Sequence, residues 1–237
     1  MKKIVHKAAS RGHANHGWLN ANHSFSFGSW YDPKRINFGA IRVLNDDTIA
    51  AGAGFPTHPH DNMEIITIPL SGILEHKDSM GNVAQIKTGE VQVMSAGTGV
   101  THSEYNGSQT EELKLFQIWL FPNKKDVTPR YDELKLNLED RKNKFQQILS
   151  PSPEDEGVWI HQDAWMHMIS MDKNTEQEYI MKSKDNGVYI IVVEGSIEVD
   201  HEVLTHRDAI GITETDLFTI KAIDKSEMLL IEVPMEF

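Results

Sequence analysis

His58-Pro-His60 and His102-Ser-Glu104 each place two metal-ligating side chains two positions apart. On a β-strand, residues i and i+2 face the same side at about 6.5 to 7 Å, so each pair can pinch one ion from a single wall. Three neutral imidazoles and a carboxylate suit iron, manganese, nickel, cobalt, copper or zinc, and do not suit calcium or magnesium. On an octahedral ion, four protein ligands leave two positions for water, oxygen or substrate, whereas structural zinc sites are filled. Glu64 shares the strand parity of His58 and His60, so it competes with Glu104 for the carboxylate role.

The elements that must carry these pairs read as β-structure. Short period-two runs, Ser24 to Phe27, Ala40 to Val43, Met63 to Leu70, Val91 to Val93 and Lys114 to Phe121, are each bounded by Gly, Asn, Asp or Pro. That pattern predicts antiparallel strands closing into barrels or sandwiches, with few short helices. The helical candidates are Leu138 to Lys144 and a turn near Asp132-Glu133. Residues 122–157 carry few β-branched residues and end in Ser150-Pro-Ser-Pro-Glu-Asp-Glu-Gly157, which predicts a connection, with one strand near Phe145 to Leu149 inside it. The expected division is a first unit over 1–121, the connecting segment over 122–157 and a second unit over 158–237.

The second unit reads as a worn copy of the first. Ile65 to Leu74 aligns by residue type with Val188 to Ile197, glycine on glycine, and Gly89-Glu90-Val91 resembles Arg207-Asp208-Ala209. Counting from these anchors, His58 and His60 fall on Met181 and Ser183, and His102 and Glu104 fall on Ile220 and Ala222. One metal per chain is the expectation.

Composition narrows the function. The chain has no cysteine, so thiolate sites, cysteine nucleophiles and disulfides are excluded, and a reducing, cytoplasmic setting is expected. No apolar run has the length of a signal peptide or a membrane span. Net charge is −12 and uneven: residues 1–121 hold 10 Lys+Arg against 11 Asp+Glu, and residues 122–237 hold 13 against 24. Direct nucleic-acid binding is not expected of so acidic a chain, since it depends on basic side chains displacing counterions. The acidic half reads as a solvated surface or as a docking face for a basic protein partner. His13, His16, His23 and His76 read as loop, turn or hydrogen-bonding groups. His161, His167, His201 and His206 read as structural or surface groups, the five tryptophans as packing, and Gly97-Thr98-Gly99 as a turn.

In combination the motifs are more specific. Gly52-(x5)-His58-x-His60-(x3)-Glu64 and Gly89-(x7)-Gly97-(x4)-His102-(x3)-Asn106 resemble the paired motifs of the cupin superfamily. Gly54 to Glu64, Gly72 to Asn82 and Ala96 to Glu104 resemble the pirin family more closely, as do Arg11-Gly12-His13, Phe25 to Gly28 and Gln162-Asp163-Ala164. The resemblance implies an all-β bicupin, two face-to-face jelly-roll-type barrels with a metal only in the first. It implies His58, His60, His102 and Glu104 as ligands, leaving Glu64 beside the site, and Fe(II) as the metal, with Mn, Ni, Co, Cu or Zn as alternatives.

The activity implied is that of pirin-type quercetin 2,3-dioxygenases. Coordination lowers the pKa of the flavonol 3-hydroxyl, the ring is cleaved with O2, and carbon monoxide leaves. Glu104 would accept the hydroxyl proton, and Phe55 and Met94 would line the pocket of a small aromatic substrate. A metal- and redox-sensing regulator working through protein contacts is the alternative function, and a monomer is the implied state.

Overall fold

A computed structural model describes residues 1–237. Strands form two seven-stranded and two four-stranded sheets, and the only helical elements are 3-10 turns at Ala8–Ser10 and Leu138–Arg141. Nearly every pairing is antiparallel, the exception being Gln146–Ser150 beside Val158–Trp159. Each barrel opposes one large and one small sheet, the arrangement of a bicupin. No helix is long and apolar enough to cross a membrane.

In the first barrel the large sheet runs Arg130–Lys135, Glu90–Ser95, Glu64–Ser71, Leu113–Leu120, Ile41–Ile49, Leu19–His23 and Gly12–Asn15. The small sheet runs Gly54–His60, Val100–Asn106, Ile73–Asp78 and Val83–Lys87. The large sheet is covered on both faces. Phe116, Ile118 and Leu120 meet Tyr189, Ile191, Leu229 and Ile231 of the second barrel in one cluster of 27 buried residues, which is what holds the barrels face to face. Leu113, Leu115, Gln117 and Trp119, of the opposite parity, point into the first barrel's interior.

The repeat is visible in the backbone. Gly72 and Gly195 end the aligned strands at φ +89° and +83°, where an added Cβ would press on Leu113 and Ser226 backbone atoms respectively. Gly89 and the aligned Arg207 both take positive φ, +87° and +64°. Met181, Ile220 and Ala222, the positions aligned with His58, His102 and Glu104, are packed into the second barrel's own apolar cluster. Buried Glu232 accepts from Tyr179 Oη, from the Lys182 and Ser183 backbone amides and from Asn186 Nδ2, tying the 182–186 segment down over that barrel.

The chain crosses between units where the expected boundaries do not allow it. Lys2–His6 pairs with Ala209–Thr213 at the edge of the second barrel's large sheet, although it precedes the first barrel in sequence. Within the segment 122–157, Arg130–Lys135 adds an unforeseen strand to the first barrel, while Gln146–Ser150, the strand expected near Phe145 to Leu149, joins the second. Both corrections have one cause: an exposed sheet edge is satisfied by any strand that reaches it, whatever its place in the chain. Likewise Asp132-Glu133 is in a strand rather than a turn, and Leu138 to Lys144 shortens to one 3-10 turn capped by the Asn137 side chain. The strand expected at Ser24 to Phe27 ends earlier, at His23.

Candidate metal centre

The two ligand pairs lie on neighbouring strands of the small sheet, Gly54–His60 and Val100–Asn106, with His102 directly opposite His58. Burial alternates along the second strand: His102 and Glu104 are buried while Thr101 and Tyr105 are exposed. A register shift between His102 and Glu104 sets Glu104 opposite Phe55. His58, His60 and His102 meet with ring centroids 4.4 to 4.9 Å apart and with one nitrogen of each within 4.8 Å of the others.

Protonation favours ligation. Burial, reinforced by the neighbouring imidazoles, pushes His102 down to about 3, and burial with His58 nearby pushes His60 to about 4. Both are neutral at physiological pH, the form that donates a lone pair to a metal. His58 Nδ1 donates to the Pro56 carbonyl at 2.8 Å, which leaves Nε2 as its lone-pair nitrogen. Both ring nitrogens of His102 are buried without a hydrogen-bond partner. A buried imidazole with no partner on either side is costly unless a cation takes a lone pair, so the donor set fits a bound transition metal.

His76, His102 and Glu104 form a second, overlapping group. His76 has both nitrogens committed, with Nε2 3.2 Å from Asp78 Oδ2 and Nδ1 accepting from Gln92 Nε2 at 3.2 Å. It therefore supports the cluster instead of completing it. His76, expected in a turn, lies buried in Ile73–Asp78, in register with Glu104. The polar run around it hid the strand.

Across the barrel interior a single register row crosses the large sheet: His23, Asn45, Gln117, Thr67 and Gln92, each opposite the next and all buried. His23 Nδ1 is 2.8 Å from Asn45 Oδ1. Gln117 Nε2 donates to both oxygens of Glu104, and Thr67 Oγ1 donates to Glu104 Oε1 at 3.3 Å. Burial raises Glu104 above the ordinary carboxylate range, opposed by the Gln117 hydrogen bonds. Glu64 stands outside the cluster. Ser95 Oγ donates to its Oε2 at 2.7 Å, and burial pushes it up to about 7 against the pull of Ser95, the His161 amide and Arg130.

Beside the imidazoles lies a cavity of about 280 Å³, bordered by Leu19, Phe27, Phe55, Trp119, Asp47 and Glu104 among others. Phe55 is among the residues that line it. Met94 is not: it is sealed in a small core with Ile65, Ala96 and Val100 against Trp119. His16 and His23, read as loop groups, line the cavity, as does Trp119, whose ring lies edge-on to His60 at 4.9 Å. Gly12 of the Arg11-Gly12-His13 motif is explained by Trp30, whose ring would lie 2.2 Å from an added Cβ.

The chain matches known proteins over nearly its whole length. The pirin family profile matches residues 4–120, and a profile described as the quercetinase C-terminal cupin domain matches residues 147–233. Quercetin 2,3-dioxygenase of Escherichia coli strain K12 is 44% identical over 230 residues, covering 97% of this chain and 98% of that protein. A pirin-like protein of Caulobacter vibrioides is 39% identical over 222 residues, covering 93% and 95%. The crystal structure of bacterial pirin YhhW from Escherichia coli in complex with nickel(II) superposes with a TM-score of 0.93 at 42% identity, covering 98% of this chain and 99% of that one. With matched motifs, a matched fold and relatives similar over nearly its whole length, this chain belongs to the pirin family.

Proposed function

We propose that the chain is a metal-dependent dioxygenase that cleaves flavonols such as quercetin with O2 and releases carbon monoxide, with one divalent metal held by His58, His60, His102 and Glu104. The observation that carries the reading is the convergence of three imidazoles, with His102 unpartnered, beside a cavity walled by aromatic and aliphatic side chains. Iron(II) is our reading of the metal, and the E. coli relative is in complex with nickel(II), a metal that also takes nitrogen and oxygen donors. The metal would supply Lewis acidity toward the substrate hydroxyl and access to dioxygen chemistry.

The chain's own residues do the rest. Glu104, buried and raised, is suited to take the hydroxyl proton, and Gln117 and Thr67 hold its carboxylate at a fixed orientation. Phe55, Phe27, Trp119 and Leu19 offer flat apolar walls to a planar substrate and keep bulk water off the reacting end.

The test is oxygen uptake with carbon monoxide release when quercetin is added to protein of measured metal content. Loss of both signals in His58→Ala and Glu104→Ala, with circular dichroism unchanged, supports the reading. Fully loaded protein that consumes no oxygen with quercetin sinks it. The alternative, a redox-sensing regulator that docks a basic partner, is supported by the acidic second half, but gives no role to a cavity beside the metal ligands. A cytoplasmic monomer completes the reading, in line with the absence of cysteine.

A further inference from the structure

Asp47 is the one carboxyl besides Glu104 that borders the cavity, and the scheme above gives it nothing to do. It sits in Ile41–Ile49 opposite Leu115 and Ala21, 4% exposed, and its Oδ1 is buried with no hydrogen-bond partner. An unmet buried carboxyl oxygen costs about 1 to 3 kcal/mol, so a fold keeps one where something else supplies the partner. Its neighbour Asp46, of opposite parity, faces away from the cavity, where Arg11 and Arg207 reach its Oδ2 at 3.0 and 3.1 Å. Those cations are committed, and no basic side chain lines the cavity except His16 and His23, the latter bonded to Asn45. Asp47 therefore waits for a ligand.

Register places it relative to the metal end. Gln117, which holds Glu104, lies opposite Asn45, so Asp47 is on the diagonal two residues further along, about 7 to 8 Å from Gln117 between Cα atoms. Glu104 and Asp47 are thus two polar points on one cavity with apolar walls. Burial, with Asp46 and Glu104 nearby, pushes Asp47 up to about 8, so at physiological pH it presents an O–H and a C=O. That pair matches a phenolic hydroxyl or a carbonyl and offers no charge to an ammonium group.

Resting on the flavonol reading, we infer that Asp47 is a substrate-binding residue that hydrogen-bonds a substrate oxygen other than the hydroxyl that meets Glu104, selecting hydroxylated flavonols over the bare ring system. The probes are quercetin and 3-hydroxyflavone, which share the 3-hydroxy-4-carbonyl unit and differ in the 5-, 7-, 3′- and 4′-hydroxyls. Dissociation constants are measured without oxygen on metal-loaded protein.

Wild type binds quercetin more tightly than 3-hydroxyflavone. Asp47→Leu weakens quercetin about tenfold or more, the range for a lost buried hydrogen bond, and leaves 3-hydroxyflavone within about twofold. Asp47→Asn, which keeps shape, a donor and an acceptor, stays within about threefold for both. Equal loss of both ligands in Asp47→Leu, or no loss of either, overturns the assignment, and so does Asp47→Asn failing as badly as Asp47→Leu. Wild type that binds neither compound overturns the flavonol reading itself, which is a different outcome. Infrared difference spectra of the wild type give a check independent of how Asp47→Leu folds: a carboxylic-acid band that is absent in Asp47→Asn shifts when quercetin binds, and its indifference to quercetin counts against the inference.

Discussion

Gln117 Nε2 lies 3.2 and 3.0 Å from the two oxygens of Glu104, so a neutral amide on the large sheet clamps a carboxylate on the small one. The clamp spans the barrel interior and joins the two walls at the level of the imidazoles. Thr67 braces it from the side, 3.3 Å from both Glu104 Oε1 and Gln117 Oε1.

Removing the clamp should loosen the metal without removing a ligand. Gln117→Leu is expected to weaken metal affinity about 10- to 100-fold, the cost typical of losing a group that orients a ligand. Metal retained after dialysis against a graded chelator series measures it, and retention equal to wild type refutes the role given to Gln117.

Substitution separates the two carboxylates. Glu104→Gln should lose the metal, while Glu64→Gln should keep it, because Glu64 is engaged by Ser95 and lies outside the imidazole group. Glu64→Gln also removes a carboxyl that burial holds at about 7. A raised carboxyl stabilises relative to its ordinary range only at low pH and loses that contribution as pH rises through 7, so Glu64→Gln should be neutral or stabilising at pH 8. Metal analysis and melting curves of both variants at pH 8 decide it, and metal loss in Glu64→Gln would reverse the assignment.

Acid should weaken the fold through histidines remote from the metal. His6 and His167 are both 5% exposed and pushed by burial from 6.5 to about 4. Between those values the unfolded chain takes up protons that the folded chain refuses, so stability falls as pH drops from 6.5 to 4, by up to about 3 kcal/mol per residue. His167→Gln, which can still bond the Tyr179 hydroxyl now 3.3 Å from His167 Nδ1, should flatten this slope in urea titrations at pH 4.5 and 7. An unchanged slope would remove His167 from the account.

Truncation tests the crossing strand. Deleting residues 1–6 removes five paired positions along Ala209–Thr213 and the 2.9 Å contact of His6 Nδ1 with Tyr189 Oη. The bared edge should cost several kcal/mol and promote aggregation, read as a lower urea midpoint and a concentration-dependent melt. A truncated chain as stable as the full one would show that the edge needs no cover.

Period-two patterning and turn residues determined the β class and the internal repeat, and the i, i+2 spacing of His58 with His60 and of His102 with Glu104 marked pairs that a strand would turn to one side, because parity on a strand is a local property. The same locality explains what patterning left open. Leu113–Leu120 is apolar on both faces, since one packs against the second barrel, so nothing in the pattern marked Gln117 as the residue that holds Glu104. His76 and Asp47 became meaningful only when pairing set them beside Glu104 and on its cavity. The choice between Glu64 and Glu104 could not come from parity, which both satisfy. Closure of the barrel separates them, turning Glu64 toward Ser95 and bringing Glu104 beside His76 and His102. Which strands meet across a barrel depends on contacts far apart in the chain, and no local pattern of residue types encodes them.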